Sequence, residues 1–536
     1  SQKLRGGYYT SPEIAQFLLR WVSSNSPKRI LEPSCGDGVF IRALKKLAPS
    51  SIELFKGFEI EACEAQKAVE EASLLKDITC EVYNQDFLGW SINQFLGGEQ
   101  FDAVVGNPPF IRYQYLDNWL QDLSKQIFKY FKLPFTKHTN AWVPFVISSL
   151  ALLRPNGRLA MVVPAEILHV LHAQSLRTFL TQQCSRILIF DPEELWFENT
   201  LQGAVILFAE KKALVQEKSQ GLGITSTTNQ QFLEQDPEDF FEQASYTNGE
   251  TIQGKWMWAL LTPAERALLK SAPLRNGVYK FKDIADVAVG IVTGANNFFL
   301  VPDETVEQYQ LHDWAFPMFG RSEHVQGVIY DESAHTTNRT RGLPTNFLWF
   351  EDESFATLPQ KAQNYIKSGE LENLHERYKC RIRDPWFQVP SVYSTKIGML
   401  KRCHNFPKLV FNQIQAYTTD TAYRIKTRNI EPQTLVFSFI NSLTALSAEI
   451  EGRHYGGGVL ELVPSEIRNL TVPIVSNVNG ELLQLDENVR KNLRSDKLLE
   501  IQDGQILAKL GYSSYERDEL RHAWLRLRDR RQRSKS

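Results

Sequence analysis

The sequence predicts an α/β protein, a Rossmann-like sheet covered by helices over about the first 210 residues, followed by a second domain of mixed α+β character. Three observations lead there. Apolar β-type runs alternate with amphipathic helical stretches, the pattern that builds a parallel sheet covered by helices. A tight turn with two glycines follows the first of those runs, where doubly wound sheets bind ligands. At 536 residues and 43% hydrophobic composition, the chain exceeds what one core usually takes.

Thr10-Ser11-Pro12-Glu13 opens the first helix with a hydroxyl cap, a proline in the first turn and an early acid, and Phe17, Leu18 and Trp21 recur on one face. Strands are expected at 29–31, 54–60, 80–83, 103–105, 158–163, 186–190 and 204–210, with helices between them. From about Lys211 to Gly254 the text is polar and weakly periodic, which sets a domain boundary near residue 250 and gives domains 1–250 and 251–536. The second half begins with Lys255-Trp256-Met257-Trp258 and a helix over 263–270, then shorter segments rich in aromatics, including the strand-like Leu409-Val410-Phe411-Asn412. Its Arg-rich tail, 521–533, is helical in pattern with Leu520, Trp524 and Leu527 on one stripe, and its arginines are expected on a solvated face.

Composition excludes disorder and collagen. Sixty Lys plus Arg against 62 Asp plus Glu leave a net charge of -2, so whole-chain electrostatics make no case for a polyanion partner, although a local basic cleft is compatible with that balance. The six cysteines show no Cys-x-x-Cys spacing, which suggests neither a disulfide framework nor a zinc cluster. His169 and His172 are expected to be packed or surface residues of an apolar helix rather than metal ligands. With no signal-peptide core and no apolar run of membrane-spanning length, a cytoplasmic protein without membrane association is expected.

Glu32-Pro33-Ser34-Cys35-Gly36-Asp37-Gly38 puts an acid at a strand end, a two-glycine turn after it, and a helix from near Val39. The glycines allow backbone to approach a ligand closely. The pattern is neither Gly-x-Gly-x-x-Gly nor the phosphate-binding Gly-x-x-x-x-Gly-Lys-Ser/Thr, so a dinucleotide or triphosphate is the weaker choice. S-adenosylmethionine, which has no phosphate but carries an ammonium and a sulfonium, suits the nearby acids. A second strand ends at Gly57-Phe58-Glu59-Ile60-Glu61, placing Glu59, in preference to Glu61, where a ribose diol would bind. A third ends at Asn84-Gln85-Asp86-Phe87, where Asp86 can accept from an adenine amino group and Phe87 can pack on the ring. Each acid alone reads as a cap or turn residue; three in succession at strand ends read as a site.

A fourth strand runs into Gly106-Asn107-Pro108-Pro109-Phe110. The side-chain oxygen of Asn107 and the main-chain carbonyl of Pro108, held by the prolines, can both accept hydrogens from one exocyclic amino group, with Phe110 stacked on the ring that carries it. An amine conjugated to a ring is a poor nucleophile, and this polarisation raises electron density on its nitrogen without a covalent intermediate.

With these motifs in this order, the chain resembles the gamma class of adenine-N6 DNA methyltransferases, the TaqI-like amino-methyltransferases of restriction-modification systems. The resemblance covers about the first 210 residues and implies a class I methyltransferase sheet, S-adenosylmethionine as cofactor, and a C-terminal target-recognition domain. Gly7-Tyr8-Tyr9-Thr10-Ser11-Pro12 looks like the family's leading motif, which makes Thr10 a cofactor contact as well as a cap. By the same resemblance, Glu32 and the loop carrying Ser34, Cys35, Gly36 and Gly38 meet the methionine part, Glu59 the ribose, and Asp86 with Phe87 the adenine, with Asn107 and Pro109 also beside the cofactor. Phe145 matches an aromatic placed next to the cofactor adenine. In Glu194-Leu195-Trp196-Phe197-Glu198-Asn199, either Phe197 or Trp196 supplies a second aromatic that sandwiches an extruded target base against Phe110. Phe110 stands where many relatives carry Tyr.

The same Asn-Pro-Pro-aromatic motif serves protein-glutamine methyltransferases, and RNA or cytosine-N4 substrates are further alternatives, although Ser-Pro-Pro is more usual for cytosine. The second half favours duplex DNA: 289–299, with Thr293-Gly294-Ala295-Asn296-Asn297, and 453–459, with Gly456-Gly457-Gly458, look like segments of target-recognition domains. The reading is a modification enzyme that flips its target adenine and is paired with a separate restriction endonuclease, with no nuclease domain ahead of the leading motif.

Overall fold

The computed structural model describes residues 10–137, 139–192, 203–351, 353–455, 457–476 and 480–532. The chain divides into two compact units, the first reaching Thr262 and the second starting at Pro263.

The first unit contains α1 (Pro12–Ser23), β1 (Arg29–Glu32), α2 (Val39–Leu47), β2 (Leu54–Glu59), α3 (Ala62–Ala72), β3 (Thr79–Asn84), α4 (Phe87–Ile92), β4 (Phe101–Gly106), α5 (Asn118–Tyr130), α6 (Trp142–Ala151), β5 (Leu153–Pro164), α7 (Gln174–Gln183), β6 (Cys184–Pro192), β7 (Ala204–Lys211), β8 (Gly221–Thr227) and α8 (Pro237–Gln243). The strands form one sheet in the order β3-β2-β1-β4-β5-β7-β6-β8. β1 pairs in parallel with β2 on one side and β4 on the other. The chain therefore winds both ways from β1, and a crevice opens beyond the carboxyl ends of β1 and β4.

The sheet is mixed rather than wholly parallel, because β7 runs antiparallel to both β5 and β6. In α1 the cap is Ser11, whose Oγ accepts from Ile14 N at 3.3 Å, and not Thr10. The α1 face expected to be apolar is fully buried: Trp21 stacks on Phe208 at 4.1 Å, and Phe17 sits among Phe190, Phe208 and Phe232.

The polar stretch after β7 is not a linker. It contains β8, parallel to β6, and α8, whose Phe241 packs edge-on against Trp21 at 4.7 Å. Two glycines mask β8 in the sequence, and both are needed for close approach: a Cβ on Gly221 would lie 2.0 Å from Thr247 O, and one on Gly223 3.1 Å from Leu188. The first unit also continues past residue 250. Arg177, fully buried, donates from Nε to Gly254 O at 2.9 Å, and the buried Trp256 donates to Ile252 O at 3.2 Å. His169 and His172 lie not within one helix but after and in two short 3-10 turns, Ala165–Leu168 and Leu171–Ala173.

The second unit is mixed α+β. Five strands pair in the order Ala285–Val289, Ala422–Thr427, Ile397–Leu400, Leu409–Asn412, Ile329–Tyr330, and a four-stranded sheet contains Ala315–Phe319. The tail forms the helix Ser514–Gln532, which packs against Ser442–Glu451 and is not a solvated element. Leu520, Trp524 and Leu527 are fully buried. Its arginines answer carboxylates: Arg531 is buried against Glu449 at 2.7 Å, Arg526 meets Glu265 at 2.7 Å, and Arg521 pairs with Asp503 and Asp518. Among the described residues, no helix is long and apolar enough to cross a membrane.

Candidate active site

β1 delivers Glu32 to the crevice, and the loop after it turns through two glycines in the left-handed region, Gly36 at φ +51° and Gly38 at φ +87°. At Gly38 a side chain would also press on α3, since a Cβ would lie 3.2 Å from Ala68 Cα. Cys35 N donates to Phe58 O at 2.8 Å, and Arg42 holds Asp37 at 3.0 Å, so the loop is pinned on both sides. Gly57 lets Cys35 approach β2, because a Cβ there would lie 3.3 Å from the Cys35 Sγ.

Glu59, at the end of β2, accepts from Gly36 N through Oε2 and from Glu61 N through Oε1, each at 2.9 Å. Burial raises its carboxyl above the ordinary value against those hydrogen bonds. Glu32 is more extreme. It is 1% exposed, its Oε2 has no hydrogen-bond partner, and burial, reinforced by Glu59 and Asp37, pushes its carboxyl well above the usual range. A buried, unanswered carboxylate oxygen is costly unless a cation or donor meets it.

At the end of β3, Asp86 caps α4 by accepting from Gly89 N while its carboxylate also lines the crevice, so the cap and the site are not alternatives. Phe87 and Phe145 lie with ring centroids 5.5 Å apart. At the end of β4, Ser34 Oγ donates to Asn107 O at 3.0 Å, and Asn107 Nδ2 donates to Thr10 Oγ1 at 3.1 Å. Thr10 therefore orients the Asn107 amide, a link that the sequence reading had not drawn.

These loops enclose a cavity of about 690 Å³. Thr10, Glu32, Ser34, Cys35, Gly36, Glu59, Asp86, Phe87, Asn107, Pro109 and Phe145 all line it. Gly38 does not, being turned beneath α2 against α3, nor do Pro108, which is buried, and Phe110, which is half-buried against the sheet core. Trp196 and Phe197 lie outside the described residues. The cavity also has a wall that the sequence reading missed, formed by 111–120 with Tyr115 and Trp119 partly exposed. The available signal was the aromatic spacing of Tyr113, Tyr115 and Trp119 directly after the Asn-Pro-Pro-Phe motif.

Residues 44–196 match the family model described as Eco57I restriction-modification methylase, and residues 253–507 match that of the C-terminal domain of Type II methyltransferase M.Eco57I. Each model alone matches less than half of the chain, and together they support an Eco57I-type restriction-modification methylase family for it. Among curated relatives, Type II methyltransferase M.AccI of Acinetobacter calcoaceticus is 22% identical over 86% of this chain and 84% of its own length. M.XamI of Xanthomonas campestris pv. amaranthicola is 20% identical over 89% and 86%, and M.TthHB8I of Thermus thermophilus is 29% identical over 33% and 39%. Of solved structures, the DrdV–DNA complex aligns with a TM-score of 0.47 at 11% identity, over 82% of this chain and 54% of that one. The type IIG restriction endonuclease BpuSI aligns with a TM-score of 0.43 at 13% identity, over 98% of this chain and 66% of that one.

The Type II methyltransferase relatives support a DNA-methyltransferase enzyme, with S-adenosylmethionine as the implied methyl donor. The cavity fits that donor. Glu32 Oε2 offers an unanswered acceptor to a ligand that carries an ammonium and a sulfonium beside its carboxylate, Glu59 offers one to its ribose, and Phe87 and Phe145 offer an apolar aromatic wall to its purine.

Proposed function

We propose that the protein is a site-specific adenine-N6 DNA methyltransferase, the modification enzyme of a Type II restriction-modification system whose endonuclease is a separate chain. The observation that carries this reading is convergence: Asn107, at the end of β4, lines the same cavity as the acids at the ends of β1, β2 and β3. When bound, S-adenosylmethionine supplies an electrophilic methyl group on a sulfonium. Glu32 answers its positive charge, Glu59 its ribose, and Asp86 with Phe87 and Phe145 its adenine. Thr10 holds the Asn107 nitrogen, so the amide oxygen is the atom presented to a target amine. Asn107 Oδ1 and Pro108 O accept the two amine hydrogens and raise electron density on N6 as it attacks the methyl carbon, the S–CH3 electron pair departing with sulfur. A proton is then lost from the methylated amine.

In duplex DNA that amine is paired and stacked, so the adenine must leave the helix at a cost of a few kcal/mol, offset by stacking on Phe110 and on Trp196 or Phe197. The test is transfer of labelled methyl from S-adenosylmethionine to duplex DNA, RNA and cell protein, with digestion of the product to nucleosides. Label in N6-methyl-2′-deoxyadenosine from DNA is the expected result. Label in N4-methylcytosine, in RNA or in protein alone overturns the assignment.

A further inference from the structure

The Arg-rich tail is the obvious polyanion contact in the sequence, yet its arginines Arg521, Arg526 and Arg531 each hold an acid on another element of the second unit. The cations displayed without an acid lie elsewhere. In 376–384, Glu-Arg-Tyr-Lys-Cys-Arg-Ile-Arg-Asp, four cations occur within seven residues. Arg377, Lys379 and Arg381 are exposed on and beside the short helix Tyr378–Arg381, and among the described residues none forms an ion pair, with Glu376 and Asp384 included. Two other exposed arginines of this unit are neutralised, Arg428 by Asp286 and Arg339 by Asp303.

The fourth cation has an internal role. Arg383 donates to Thr293 O at 2.7 Å and to Val292 O at 2.6 Å, holding the glycine-containing loop 290–295 against the helix. A Cβ on Gly294 would lie 2.7 Å from Lys379 Cβ, and one on Gly290 2.0 Å from Thr419 O. These two glycines therefore serve protein packing rather than approach to a phosphate. Tyr378, 63% exposed, lies under Lys379 at 5.4 Å and Arg381 at 5.6 Å, so a flat aromatic face sits between the charges.

We propose that Arg377, Lys379 and Arg381 form a contact surface for the phosphate backbone of duplex DNA, positioned by the Arg383-bound loop. The inference rests on the DNA-methyltransferase reading and adds to it a particular surface. Exposed cations that no protein acid neutralises release counterions from DNA on binding, and each such contact contributes close to one unit to the salt dependence of affinity without reading sequence.

The experiment compares the full chain with the triple variant Arg377→Gln/Lys379→Gln/Arg381→Gln and with Arg428→Gln, using fluorescence anisotropy on a labelled duplex over a salt series. The triple variant should flatten the slope of log Kd against log salt by about 2–3 units and weaken binding about tenfold or more at low salt, to the same extent on every duplex. Arg428→Gln should leave the slope near that of the parent, and calorimetric S-adenosylmethionine affinity should be unchanged in all three proteins. A parent that binds duplex DNA while the triple variant keeps the parental slope overturns the contact surface. A parent that binds no duplex DNA overturns the DNA-substrate reading together with it.

Discussion

Glu32→Gln keeps the shape of a fully buried side chain and removes its charge, and two consequences of opposite sign follow. In the ligand-free protein the ionised carboxylate is a liability, since Oε2 has no partner and Glu59 and Asp37 add negative charge. Its folded-state value is raised above the ordinary 4.5, so the folded chain keeps a proton that the unfolded chain has lost. Stability therefore falls as pH climbs from about 4.5 through the folded-state value. Removing the charge should stabilise the ligand-free protein at alkaline pH by about 1–3 kcal/mol, roughly 2–4 °C in Tm for each kcal/mol, with the difference fading as pH falls below about 4.5. With the donor bound, the same carboxylate faces a cation, and losing one partner of a buried charge pair costs roughly 2–4 kcal/mol, a Kd raised about 30- to 700-fold. Thermal unfolding across pH gives the first number and calorimetry the second. An unchanged Kd, or parent and variant stability curves that superimpose at all pH values, would refute the reasoning.

Arg531→Met leaves Glu449 buried without its cation and should cost about 3–5 kcal/mol in urea unfolding, with Glu449→Leu in the same chain recovering part of the loss. Phe110→Ala should lower kcat for methyl transfer at least about tenfold by removing a stacking face, whereas Phe110→Tyr, which keeps the ring, should stay within a few-fold of the parent; equal losses in the two would remove stacking from the account. Trp119→Ala opens the wall beside the cavity and should raise the S-adenosylmethionine Kd about 5- to 30-fold, consistent with the loss of 1–2 kcal/mol of apolar burial, while an unchanged Kd would assign that wall to packing.

The cavity lining was legible because it sits at strand ends, where short runs such as Ile30-Leu31-Glu32 and Val104-Val105-Gly106-Asn107 announce themselves by apolar residues that stop at a polar one. The seven strands expected in the first unit correspond to β1–β7, most of them longer than expected, β5 above all, and β2 one residue shorter. Elements that depend on distant partners were hidden. β8 reads as a loop until Thr247 and Leu188 are seen to require its glycines, and the tail reads as solvated until Glu265, Glu449 and Asp503 are seen to answer its arginines. The Thr10–Asn107 hydrogen bond spans almost the whole run of site motifs and leaves no periodicity behind. In the second unit, short strands such as Ile329–Tyr330 and Tyr417–Thr418 carry too few residues for any alternation to show.

The central claim is that Asn107 activates an adenine amine in DNA. Its backbone remains tied to Ser34 in Asn107→Ala, so this variant should keep its fold and its S-adenosylmethionine affinity while losing the amine acceptor. The most direct measurement is base-modification sequencing of DNA from a methylation-free host expressing either the parent chain or this variant. N6-methyladenine at one recurrent sequence with the parent, and none with the variant at equal protein level, is the predicted result. Modification by Asn107→Ala to the same extent as the parent, or parent DNA without N6-methyladenine despite verified cofactor binding, would contradict the account.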